Sequence, residues 1–164
     1  MQTDGFVLFD TALGHCAIAW GPHAITGVQL PEINQAATRS RMRSRFPGAT
    51  ELPPPGHVRR AIDKLTAQLR GEPVVPGDLS DIELDMSDVA PFHQRVYALA
   101  RRMLPGETMT YGEMARMLGA PDAARAVGQA LGHNPFAPIV PCHRILAAGG
   151  RSGGFSADGG VRTK

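Results

Sequence analysis

Residues 110–132 read TYGEMARMLGAPDAARAVGQALG. Thr110 followed three residues later by Glu113 is the pattern of a capping box, in which hydroxyl and carboxylate satisfy the free N–H groups at a helix start. The spacing predicts a helix over YGEMARML that stops at Gly119. Ala-Pro-Asp then opens a second helix, DAARAVGQALG, with Pro121 near its first turn, where a missing N–H does no harm. Two short helices joined by a glycine-containing turn predict a helix-turn-helix. In the second helix Arg125 stands among Ala123, Ala124, Ala126 and Gly128. Small residues let a backbone approach a DNA groove or a neighbouring helix equally well, and the pattern alone does not choose.

Upstream, PFHQRVYALARRML places Phe92, Val96, Leu99 and Met103 on one helical face before Pro105-Gly106 ends it. HVRRAIDKLTAQLRG is a second amphipathic helix, with Val58, Ile62, Leu65 and Leu69 at spacings of four, three and four. Between them EPVVPGDLSDIELDMSDVA reads as a strand plus a crossing linker, and composition shifts near residues 85–90. The first segment reads as short strands: GFVLFDTALG, HCAIAW and, after the turn signal GPH, AITGVQL. EINQAATRSRMRSRF follows as a helix. Its Arg39, Arg41, Arg43 and Arg45 are spaced by two, which spreads them around the cylinder, so a solvated helix is expected rather than a nucleic-acid stripe. PGATELPPPG is a proline-rich connector.

The totals bound the class. A chain of 164 residues with 43% hydrophobic and 20% charged residues is a globular protein of one domain or two small ones. Two cysteines, Cys16 and Cys142, make no disulfide framework and suggest a reducing cytoplasm. No apolar run reaches the roughly 20 residues of a spanning helix, and MQTDGFVLF has no basic leader followed by an apolar stretch, so neither membrane nor export is expected. Residues 1–87 hold eight Arg/Lys against ten Asp/Glu, and residues 88–164 hold nine against five. The positive surplus of the later segment is what phosphate neutralisation needs.

IVPCHRILAAGG, residues 139–150, sets Cys142 beside His143 and Arg144. A thiol reacts as its thiolate, and at neutral pH it needs a base or a positive neighbour to form one. Adjacent side chains point differently on most backbones, so a bridging water is the reasonable route from Cys142 to His143. Asn134-Pro135 makes a turn eight residues earlier, and GGRSGGFS supplies a glycine-rich loop whose backbone N–H groups can wrap a ligand. Cys16 reads as a buried strand residue. No CxxC or paired-histidine spacing occurs, so no metal and no cofactor is expected. His23, His57, His93 and His133 read as surface residues, with DNA contact conceivable for the last two.

The run from GETMTYGEMARMLG through HNPFAPIVPCHRILAAGGRSGGFS resembles the DNA-binding domain of the O6-alkylguanine-DNA alkyltransferases, the methylated-DNA–protein-cysteine methyltransferases. The likeness covers about Pro91 to Lys164 and joins three motifs in order: the Ala-Arg-Ala-Val-Gly helix, the Asn-Pro turn and the Pro-Cys-His-Arg segment. It implies an α/β fold: an N-terminal α/β domain over 1–87 with a small sheet, and a mainly helical C-terminal domain over 88–164 carrying the helix-turn-helix. It also implies roles. Cys142 is the alkyl acceptor and His143 the base acting through water. Arg125 fills the gap left by an extruded guanine, and Tyr111 presses on the target phosphate and assists the leaving purine. Asn134 is the hinge between recognition helix and active-site loop. Ser156 donates a backbone N–H to the lesion oxygen, the carbonyls of Cys142 and Ile145 read the guanine amine, and Phe155 and Leu131 wall the pocket. Thr110, Ala124, Ala126 and Gly128 join Tyr111 and Arg125 at the DNA. Arg144 is assigned an internal ion pair in preference to a phosphate.

Physical chemistry agrees with such roles. An O6-alkyl ether is a poor electrophile, so displacement needs an in-line thiolate and help for the departing purine. The target lies inside the stack and has to be flipped out, at a cost of a few kcal/mol that is smaller for a mispaired base. The thioether product resists hydrolysis, which implies one transfer per molecule. The implied partner is double-stranded DNA containing O6-alkylguanine, with a monomeric protein expected and cooperative packing along DNA left open.

The sequence departs from the family in two places. The family runs on into a last helix whose glutamate completes a Cys–water–His–Glu relay; here the chain reaches VRTK without a glutamate after Glu113, implying truncation or a differently tuned His143. Asp158 is a conceivable substitute, although a surface turn suits it better. Phe155 stands where many members have tyrosine. Two other classes compete: a recognition module that flags alkylated guanine without transfer, whose known examples lack the acceptor cysteine, and a helix-turn-helix regulator, which leaves the Pro-Cys-His-Arg segment idle. A cysteine hydrolase lacks a recognisable oxyanion-hole motif.

Overall fold

The computed structural model describes residues 2–72, 79–103 and 106–141, and the backbone of 145–146. Among these, β1 (Gly5–Thr11), β2 (Gly14–Trp20) and β3 (Ile25–Gln29) form an antiparallel meander. A fourth strand, β4 (Thr50–Glu51), joins β1 in parallel to give the order β3-β2-β1-β4. The connector PGATELPPPG therefore contributes sheet where only a linker was expected. Two residues of ordinary β geometry suffice, and the prolines begin just after them.

The central strand β2 is covered on both faces, which is why HCAIAW is nearly continuously apolar. Cys16, Ile18 and Trp20 point to the main core, while Ala17 and Ala19 meet Phe6, Met42 and Phe46 on the other side. Met42 and Phe46 come from α1 (Gln35–Arg45) and the residue that caps it, and Asn34 caps the helix start by accepting from the Ala37 N–H at 2.8 Å. Only part of the expected solvated face is seen. Arg41 and Arg43 are exposed and Arg39 pairs with Glu51 at 2.9 Å, but Arg45 turns inward.

Helix α2 (Gly56–Leu69) buries Val58, Ala61, Ile62 and Leu65 against the main core, as its periodicity predicts. It ends at Gly71, whose φ of +89° allows the Glu72 N–H to reach back to the Ala67 carbonyl. The strand expected within residues 72–90 is reduced, among the described residues, to one bridge between Ile25 and Leu84. Asp85 draws the chain away by accepting from the Ser87 hydroxyl at 2.5 Å and the Ser87 N–H at 2.9 Å, and these two hydrogen bonds, the hydroxyl's first, lower its pKa.

Helix α3 (Pro91–Arg101) stops earlier than its sequence pattern suggests, and buries Val96, Tyr97 and Ala100 while Phe92 and Leu99 are half-buried. The helix-turn-helix is α4 (Tyr111–Met117) and α5 (Ala124–Gly132). Both arms of the capping box exist: Glu113 N–H donates to Thr110 Oγ1 at 3.1 Å, and Thr110 N–H to Glu113 Oε1 at 3.3 Å. Gly119, at φ +75°, closes α4 with two back-bonds, its own N–H to Arg116 O and the Ala120 N–H to Ala115 O. The second helix starts two residues later than expected, because Pro121 occupies the second position of a turn closed by the Ala123 N–H on Ala120 O.

One apolar core runs through both segments, from Cys16, Ile18 and Val58 to Val96, Val127, Phe136 and Ile139. Within it Tyr97, 1% exposed, donates its hydroxyl to the Ala130 carbonyl at 2.6 Å, near the end of α5, where carbonyls run out of helical partners. Tyr97→Phe strands that buried acceptor and is expected to lower the unfolding free energy by about 1–3 kcal/mol, measured by urea denaturation, with the helix content in circular dichroism unchanged.

Candidate functional site

The site is assembled around the ends of the helix-turn-helix. Tyr111 is the first residue of α4, held at a fixed start by the capping box. Its ring lies on α5 at Gly128, where an added Cβ would sit 3.0 Å from Tyr111 Cε2 and 3.3 Å from Cδ2. Gly128 is thus small because an aromatic ring rests on it, which is the helix-packing alternative for at least that position. Arg125 is exposed on the first turn of α5, with Ala124 and Ala126 half-buried on either side. Leu131 lies in the core, 4% exposed.

After α5 the chain makes a compact turn closed by Asn134, 8% exposed. Its Nδ2 donates to the Val140 carbonyl at 2.9 Å, and its Oδ1 accepts from the Phe136 N–H at 2.9 Å. The Val140 N–H bonds the Phe136 carbonyl at 3.2 Å, and Ala137–Pro138 is cis. Phe136, Ile139, Val140 and Pro141 are all buried, so the apolar approach to Cys142 is anchored in the core. The turn is also tied to the sheet, since Val28 N–H donates to Pro135 O at 2.8 Å.

A second tie lies beyond the cysteine. The short strands β5 (Met109–Thr110) and β6 (Ile145–Leu146) pair in parallel, Met109 with Ile145 and Thr110 with Leu146. Backbone three residues after Cys142 is thereby joined to backbone two residues before Tyr111. Neither strand was read from sequence, since two-residue strands carry no periodicity. Cys142, His143, Arg144, Phe155, Ser156 and Asp158 themselves lie outside the described residues. Of the sequence-derived residues, Tyr111 packs on Gly128, the Thr110 strand pairs with the backbone of Ile145, Asn134 is bonded within its own turn, and Arg125 is left at the surface. The reading missed Arg45, which donates to the same Pro135 carbonyl; a local spacing rule has no way to detect a partner 90 residues away.

Residues 91–164 match the family model for the DNA-binding domain of 6-O-methylguanine DNA methyltransferase. The methylated-DNA–protein-cysteine methyltransferase of Mycobacterium tuberculosis is 37% identical over 155 residues, covering 94% of this chain and 84% of that protein. The chain belongs to the methylated-DNA–protein-cysteine methyltransferase family. The bifunctional transcriptional activator and DNA repair enzyme Ada of Escherichia coli is 32% identical over 154 residues, 92% of this chain and 41% of that protein. The crystal structure of M. tuberculosis OGT in complex with DNA superposes with a TM-score of 0.74 at 35% identity, covering 97% of this chain and 88% of that one.

In a family named for a cysteine acceptor, the second thiol also has to be accounted for. Cys16 is fully buried in β2, 3.4 Å from Thr11 Oγ1, and burial pushes its pKa up to about 11 despite that hydrogen bond. Among the described residues no cluster of three or more His, Cys, Asp or Glu is arranged to hold a metal ion. His93 is half-buried, its ring 6.2 Å from that of Tyr97, rather than on the open surface. Cys16 is a packing residue that keeps its proton. In the unfolded chain the thiol ionises near its ordinary value, while in the folded chain it stays protonated until about pH 11. Stability therefore falls between about pH 9 and 11, by on the order of 1–2 kcal/mol from this group. Denaturation at pH 8 and pH 10.5 is expected to show that loss in the wild type and a smaller one in Cys16→Ala. Iodoacetamide at pH 8 is expected to leave Cys16 of the native protein unlabelled by peptide mass mapping.

Proposed function

We propose that this chain repairs DNA by moving the alkyl group of O6-alkylguanine onto Cys142, once per molecule. The observation that carries the reading is the double tie of the Cys142 segment: Asn134 to Val140 on one side, and β6 to β5 on the other. Two ties suit a reaction in which the thiol's position relative to Tyr111 and the DNA-facing helix decides the rate.

Helix α5 sits against DNA, with Ala124 and Ala126 permitting close approach and Thr110 and Tyr111 at the start of α4 meeting the backbone. Arg125 enters the stack where the damaged guanine leaves it, giving the orphaned base a planar cation to lie against. The flipped base enters a pocket that Leu131 shapes from within and Phe155 walls, with the carbonyls of Cys142 and Ile145 accepting from its amine and the Ser156 N–H donating to O6. His143 takes the Cys142 proton through a water. The thiolate attacks the alkyl carbon in line, the S–C bond forms as the C–O6 bond breaks, and the electron pair passes to O6. Tyr111 hydrogen-bonds the purine anion as it forms and supplies the proton that neutralises it. The thioether has no leaving group that water can displace, so the protein is consumed.

In this reading residues 1–87 act as a support for residues 88–164, with the sheet edge at Val28 bracing the Pro135 turn. The few cysteines support a cytoplasmic setting, and no described helix is long and apolar enough to cross a membrane.

Incubation with excess O6-methylguanine duplex, followed by intact mass and peptide mapping, is expected to add one methyl to Cys142, to stop at one equivalent, and to give nothing in Cys142→Ala. Lesion-selective binding without any mass gain indicates a recognition module instead, and neither gain nor lesion preference removes both readings. A second variant tests the helix contact. Gly128→Ala forces the Tyr111 ring to shift by a few tenths of an ångström, while replacing a helical glycine stabilises the helix by up to about 1 kcal/mol. It is expected to slow single-turnover transfer several-fold without lowering thermal stability, read by quenched-flow mass analysis and a melting curve.

A further inference from the structure

Arg45 ends α1, and by spacing it belongs with the exposed arginines of that helix. The structure places it elsewhere. Its Nη1 donates to Val28 O at 2.8 Å and Gln29 Oε1 at 3.0 Å, and its Nη2 to Pro135 O at 3.3 Å. The guanidinium carbon lies 5.0 Å from the centre of the Phe46 ring. Burial pushes its pKa down to about 10, with Arg41 adding to the effect. Room for it is built into the sheet: a Cβ on Gly27 would lie 2.7 Å from Arg45 Nη2 and 2.6 Å from Phe46 Cζ.

The acceptor at the far end matters most. The Pro135 carbonyl already accepts the Val28 N–H and belongs to the turn that Asn134 closes onto Val140, two residues before Cys142. Beside the turn is an open groove of about 250 Å³, lined among others by Arg41, His133 and Ala137, so no packed side chain covers the turn on that side. The planar fork of one arginine thus spans strand β3 and the turn that presents the active-site segment.

We propose that Arg45 is a positioning residue for alkyl transfer, pinning the Pro135 turn to the sheet and so setting the place of the Cys142 segment. The inference rests on the reading of Cys142 as acceptor given above. It predicts a defect in the chemical step and not in DNA binding, because Arg45 acts through the turn and not on the nucleic acid.

Arg45→Met keeps an unbranched stem and removes the donors. At saturating O6-methylguanine duplex, its single-turnover transfer rate is expected to fall about tenfold or more, in line with the sensitivity of such steps to small displacements. Lesion-duplex affinity, measured for the same substitution in a Cys142→Ala background, is expected to stay within about twofold of the parent on the same principle. Arg45→Lys retains a charge that reaches one acceptor and recovers part of the rate. A folded Arg45→Met protein with wild-type transfer overturns the proposal, as does a loss of rate that matches the loss of folded protein by circular dichroism. Should Arg45→Met fail to fold, Arg45→Lys decides: slow transfer with unchanged affinity supports positioning, and full-rate transfer overturns it. Wild-type protein that transfers nothing defeats the methyltransferase reading itself, and this inference with it.

Discussion

The carboxamide of Asn134 works with both ends: its oxygen holds the Phe136 N–H and its nitrogen the Val140 carbonyl. A turn leaving a helix has backbone groups that no ladder satisfies, and here the turn is buried, so those groups need partners within the protein. One asparagine supplies two of them. Because donor and acceptor sit on the same rigid plane, the exit of α5 and the approach to Cys142 have one relative placement. An aspartate of the same size loses the donor and leaves Val140 unsatisfied in a site where an unmet carbonyl is costly. The rest of the local structure follows from keeping that turn dry: Phe136, Ile139 and Val140 are packed into the core behind it.

The sheet takes part through polar contacts as well as apolar ones. Strand β3 is an edge, and an edge strand has free N–H and C=O groups. Along this edge Ile25 bonds the 83–85 segment and Val28 bonds Pro135, so the exposed row is used twice to bind chain from elsewhere. The N-terminal segment and the helix-turn-helix are therefore joined by hydrogen bonds of fixed direction as well as by a common core. Direction is what apolar packing alone lacks, and a reaction that depends on the angle of attack needs it.

What could be read from the sequence follows from the range of each signal. The capping box at Thr110 and Glu113, the stop at Gly119 and the amphipathic face of α2 are local, and all three are present as read. The start of α5 was displaced because Pro121 suits the second position of a turn as well as the first turn of a helix. Strands β4, β5 and β6 were invisible because two residues have no period. The inward turn of Arg45 depends on Gly27 and Pro135, so no rule applied to its own helix reveals it. Of the residues drawn from the family resemblance, Tyr111 is held against Gly128 and Asn134 is bonded to Val140 and Phe136, placements that depend on backbone no local pattern specifies. The roles of Cys142 and His143 rest on chemistry and resemblance, since both lie outside the described residues.

The fold settles that Cys16 is not available as an acceptor. A single-use acceptor gains nothing from a second reactive cysteine, because an alkyl group captured elsewhere removes no lesion. Cys16 is placed in the middle of a strand covered on both faces, where the charged form of sulfur is disfavoured by burial and the nearest polar neighbour is one threonine hydroxyl. Reactivity follows the thiolate, so Cys16 is withheld from electrophiles by the same packing that holds the sheet together. The demand for one acceptor and the demand for a dry core are met by the same residue position.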